Sequence, residues 1–105
     1  MDLKPLRPSK EAPRWPADHE YSPNAVMWGR YNRTGWSWLL KYLNEWGVDT
    51  SEFSGFNDGD EISGKTCLAV ADAIEAHLHE LEKEDRDWLA PHVALWRTCG
   101  GYAQL

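Results

Sequence analysis

SGKTCLAVADAIEAHLHELEKE, residues 63–84, carries apolar side chains at Cys67, Val70, Ala71, Ile74, Leu78 and Leu81, in steps of 3, 1, 3, 4 and 3. At about 100° per residue these steps make one apolar stripe along an α-helix, with Asp72, Ala76, His79, Glu80 and Lys83 on the other face. Ser63 is the side-chain cap such a helix needs at its start. The spacing therefore predicts a helix over 64–84 that buries one face, and a chain organised around helices.

Downstream, the charged run Glu82-Lys83-Glu84-Asp85-Arg86-Asp87 marks a turn into a third helix over 88–99. Pro91 has no backbone N–H and must lie in or near the first turn of that helix. Gly100-Gly101 ends it, leaving 102–105 as a short strand or tail. Upstream, Thr34 offers a cap and Gly47 a stop for a helix over 35–46, whose stripe is Trp36, Leu39, Leu40, Leu43 and Trp46. Lys41, Asn44 and Glu45 lie opposite, and Trp38, flanked by Tyr42, lies with them. Trp38 is thus the indole that the core does not claim. Residues 48–62 read as a loop or a short ribbon over 52–62, with Asp58-Gly59 as turn and Phe53 and Phe56 as apolar pins.

Five of the six prolines fall in the first 23 residues, where they forbid a regular helix and favour extended backbone. Residues 1–24 are read as a Pro-rich arm and 25–105 as a single α-helical domain. Trp15 and Tyr21 are two anchors with which the arm can lie along the domain, and the sequence leaves open whether it does.

A chain of 105 residues supports one modest core and no large substrate cleft. Its net charge of −6 is unevenly spread. Residues 49–64 hold five acids and no base, whereas residues 25–48 hold three bases and one acid. This balance argues against non-specific binding to nucleic-acid phosphates and suits a protein partner with a basic surface, which would meet Asp58, Asp60 and Glu61. Cys67 and Cys99 have no CxxC partner and read as buried thiols. No apolar leader and no run of eighteen uncharged apolar residues is present, so a cytoplasmic protein without a membrane span is expected.

Catalytic and metal templates fail on inspection. Residues 59–66, GDEISGKT, satisfy the spacing of a phosphate-binding loop, but no hydrophobic strand precedes them and Asp60 and Glu61 stand where phosphate would lie. A calcium loop fails because Ser54, Phe56 and Lys65 would fall at ligand positions, leaving Asn57, Asp58 and Asp60 at most a weak cation site. His77 and His79 point away from each other on a helix, and Lys83 replaces the second histidine of a zinc motif. His92, on the apolar side of the third helix, reads as a core histidine. Neither a catalytic residue, a metal nor a cofactor is expected.

What remains is an aromatic and arginine cluster: Trp28, Arg30, Tyr31, Arg33, Trp38 and Tyr42. Indoles and phenols supply stacking faces, and guanidinium forks bind phosphates or carboxylates. The same rings can equally fill a small core.

Asn57-Asp58-Gly59, then Ile62-Ser63, a helix bearing Ala71, Ala73 and Leu78, and finally Trp96, Cys99 and Gly100-Gly101-Tyr102 resemble a family of small uncharacterised bacterial and phage proteins. The resemblance spans roughly residues 36–102 and implies organisation rather than chemistry, with Ser63 as a helix cap. The expected fold is mainly α: a small three-helix orthogonal bundle with a Pro-rich N-terminal arm and room for a short β-ribbon. The expected function is a non-enzymatic binding protein of phage or mobile-element type that occupies a partner protein, as an inhibitor of a host defence system does. The alternative is a capture protein for a nucleotide-like small molecule, using the Trp, Tyr and Arg cluster.

Overall fold

The computed structural model describes residues 1–20, 22–54 and 58–105. Tyr21, Phe56 and Asn57, singled out above, lie outside the described residues. In chain order the elements are β1 (Asp2–Pro5), β2 (Gly29–Arg30), α1 (Arg33–Glu45), β3 (Glu61–Ile62), α2 (Gly64–His77), a 3-10 turn (Leu78–Glu80), α3 (Lys83–Leu89), α4 (His92–Thr98) and β4 (Tyr102–Gln104). The four strands form one antiparallel sheet in the order β2-β1-β4-β3. The protein is a small compact domain whose helices are joined by a small four-stranded antiparallel sheet, an element that the expected three-helix bundle did not include.

The largest departure is at the N-terminus. Residues 2–5, read from the sequence as part of a Pro-rich arm whose docking was left open, are an interior strand between β2 and β4. Leu3 is fully buried there. Proline is compatible with this placement because Pro5 closes the strand, and the following N–H groups of Leu6 and Arg7 donate to the carbonyls of Gly101 and Cys99. Gly100 makes the approach possible. Its φ is +66°, and a Cβ there would come within 2.2 Å of the Arg7 carbonyl oxygen.

The helices follow the apolar stripes, but their ends follow hydrogen bonds. The cap of α1 is Asn32 rather than Thr34, since the Asn32 side chain accepts from the Gly35 N–H at 2.7 Å. Trp36, Leu39 and Leu43 are its buried face, and Gly47, at φ +79°, is its stop. Ser63 caps α2 by accepting from the Thr66 N–H, and Cys67, Val70, Ala71 and Ile74 are buried beneath it. The long helix expected over 64–84 ends at His77; the backbone tightens and then extends at Leu81, which is buried. The expected helix over 88–99 is likewise divided. Pro91 has no N–H for the carbonyl of Asp87, and α3 and α4 meet around it.

Beyond the sheet edge, the buried side chain of Gln104 secures the loop that enters β3. Its Oε1 accepts from the Ser54 N–H at 2.6 Å, and its Nε2 donates to the carbonyls of Glu52 and Asp60 at 3.1 and 3.0 Å. The ribbon expected over 52–62 is absent among the described residues: the strand in this region, β3, pairs with β4. Among the described residues no helix is long and apolar enough to cross a membrane.

Candidate functional site

The seven indoles divide by burial. Trp36 and Trp96 are core; Trp15, Trp28, Trp46 and Trp88 are half-buried; Trp38 is exposed, at 42%. On one face of α1 Trp38 meets Tyr42 edge-on, and Tyr42 stacks on Trp46, which stacks in turn on His77. From α3, Trp88 reaches back to Trp38 with centroids 6.4 Å apart. Gly35 permits this approach, because a Cβ at that position would lie 3.3 Å from the Trp88 ring. The two indoles open an outward-facing cleft of about 430 Å³. Arg30, Tyr31 and Asn32 line it from the β2–α1 junction, Thr34, Gly35 and Trp38 from α1, and Asp85 and Trp88 from α3.

Its two ends differ in charge. Arg30 is exposed at the end of β2, its guanidinium 5.5 Å from the centre of the Trp15 ring. The first turn of α1 adds the positive end of a thirteen-residue helix dipole, and that turn carries no acid. At the α3 end, Asp85 accepts a long hydrogen bond of 3.4 Å from the Tyr42 hydroxyl. Burial raises the Tyr42 pKa first, and the carboxylates of Asp85, Glu45 and Glu82 raise it further.

Tyr31, one of the residues read from the sequence as a binding cluster, lies on the floor of the cleft. It is 6% exposed, its hydroxyl accepts from Trp96 Nε1 at 2.9 Å, and it shares a hydrogen bond of 2.6 Å with His92 Nδ1. Burial pushes the Tyr31 pKa well up and the His92 pKa down, disfavouring the charged form of each.

Of the other residues read from the sequence as a binding cluster, Arg30 and Trp38 reach the cleft. Trp28, Arg33 and Tyr42 are not among its lining residues. Trp28 is half-buried just before β2, Arg33 is exposed at the start of α1, and Tyr42 stands behind Trp38. The acids Asp58, Asp60 and Glu61 are exposed at the β3 edge, the opposite end of the sheet from Arg30. Asp58 caps its own turn, accepting from the Asp60 N–H and the Ser54 hydroxyl, which hold its carboxyl below the usual range. Sequence reading missed Asn32, Asp85 and Trp88. Asn32 is a strong capping type two residues before the assumed cap, whereas Asp85 is hidden within a charged run.

The phosphate-loop spacing has a structural answer as well. The carboxylate of Glu52 lies at the start of α2, accepting from the Ser63 N–H at 2.7 Å, the Ser63 hydroxyl at 3.0 Å and the Thr66 hydroxyl at 2.6 Å. These bonds, that of Thr66 foremost, hold the Glu52 carboxyl below the usual range. An internal anion already takes the place a phosphate would need. Cys67 and Cys99 are buried free thiols. Among the described residues no three His, Cys, Asp or Glu side chains are grouped to hold a metal ion. No family model matches the chain, and no curated protein or solved structure matches it either.

Proposed function

We propose that this is a non-enzymatic capture protein for a nucleotide-like small molecule, held in the cleft between Trp38 and Trp88. The observation that carries this reading is the exposed Trp38 face beside Arg30 and the positive end of α1, in a cleft of about 430 Å³. That volume falls within the range of roughly 300 to 1,000 Å³ usual for small-molecule sites. A planar ring gains by stacking on the indole, and an anionic group gains from the guanidinium. The reading places the protein in the cytoplasm, where free thiols such as Cys67 and Cys99 persist.

Calorimetric titration with a panel of nucleoside monophosphates tests it. Binding that Trp38→Ala weakens by about 2 kcal/mol or more is expected; binding to none of them, or binding indifferent to Trp38→Ala, overturns it. A second reading has its own support in the acids of the β3 edge, Asp58, Asp60 and Glu61. There the protein occupies a basic partner protein, as an inhibitor of phage or mobile-element origin would, and neutralising those three acids releases the partner.

A further inference from the structure

The two ends of the cleft call for different ligand groups. Arg30 and the uncompensated start of α1 favour an anion at one end. Asp85 at the other end presents carboxylate oxygens, of which Oδ2 is engaged, among the described residues, only by the Tyr42 hydroxyl at 3.4 Å. A lysine or arginine side chain of a partner would suit Asp85 but would face the like charge of Arg30. A planar ligand with an anionic tail and N–H donors on its far edge satisfies both ends. Among the nucleobases, guanine alone places two adjacent donors, N1–H and the N2 amine, on its pairing edge. That pair matches the two oxygens of one carboxylate. Adenine and cytosine set an acceptor beside their amine, which a carboxylate repels.

Resting on the capture reading, we propose that the cleft selects a free guanine nucleotide. Trp38 stacks the base, Asp85 accepts from N1–H and the N2 amine, and Arg30 binds the phosphate. A mononucleotide is favoured over a strand because the chain carries a net charge of −6 and the cleft holds about 430 Å³.

The test is calorimetry on the intact chain with guanosine, adenosine and xanthosine monophosphates and a short guanine-containing RNA strand. Guanosine monophosphate is expected to bind roughly ten- to hundredfold more tightly than adenosine monophosphate, the scale of one bidentate contact. The strand should bind no more tightly than the mononucleotide. In Asp85→Asn the preference should pass to xanthosine monophosphate, because the new amide donates to the C2 carbonyl that replaces the guanine amine. Should Asp85→Asn fail to fold, the unmodified chain still decides, since xanthosine monophosphate must then bind as weakly as the adenosine compound. Equal binding of the guanosine and adenosine compounds, lost in Trp38→Ala, overturns the guanine assignment and leaves capture standing. Tighter binding of the strand overturns the free-nucleotide assignment. Binding of none of these overturns both.

Discussion

Trp38 and Trp88 meet as a corner, their ring planes inclined at 61° and their centroids 6.4 Å apart. Parallel plates would sandwich a ring, whereas a corner gives a planar ligand one face to stack on and one edge to abut. Trp38 supplies the face because it is exposed on α1; Trp88, half-buried on α3, is positioned by the missing Cβ of Gly35.

Trp38→Ala should therefore change stability by no more than about 1 kcal/mol and weaken ligand binding by about 2 kcal/mol or more. Denaturant midpoints and calorimetry on the same preparation check this. A variant that unfolds would make Trp38 a core residue.

Gly100→Ala should destabilise by about 2 kcal/mol or more, since it combines a left-handed backbone with a clash at the Arg7 carbonyl. Deleting residues 1–20 should abolish cooperative unfolding altogether, because it removes β1 from the middle of the sheet. Thermal denaturation followed by circular dichroism reads both. A truncated chain that melts at the original temperature would show that β1 adds nothing.

Ile74→Ala and Leu43→Ala remove fully buried side chains and should each cost about 2 to 5 kcal/mol, while exposed His79→Ala should stay within about 0.5 kcal/mol. Chemical denaturation separates them. Equal effects at all three would contradict the helix faces described here.

His92 gives stability a pH dependence of known sign. Its folded pKa lies below its ordinary value of 6.5 because burial penalises the charged form. The unfolded chain thus binds the extra proton first, so stability is full above about pH 6.5 and falls as pH drops from there toward the folded pKa. His92→Gln should flatten stability between pH 5 and 6.5 in denaturant titrations; an unchanged slope would assign the dependence elsewhere.

The apolar stripes of α1 and α2 were legible in the sequence because a 3.6-residue period is local: Leu39, Leu43, Val70 and Ile74 are buried as their spacing predicts. The exposure of Trp38 followed from the same period. The sheet was not legible, because strands of two to four residues carry almost no period and β1 and β4 pair across the whole chain. A Pro-rich segment reads as a loose arm until Gly100 is seen to admit its backbone. The cleft was half visible for the same reason. Arg30 and Trp38 lie close in sequence, whereas Asp85 and Trp88 arrive from a helix whose position depends on the turn at Leu81.

The most direct test of the cleft as the binding site is a heteronuclear NMR titration of the labelled protein with guanosine monophosphate, its indole signals assigned by single Trp→Phe variants. The account predicts saturable shifts at the indole N–H groups of Trp38 and Trp88 and the backbone amides of Thr34 and Gly35, with the amides of Asp58, Asp60 and Glu61 unmoved. Shifts centred on those three acids, or no saturable shift at any of these positions, would contradict it.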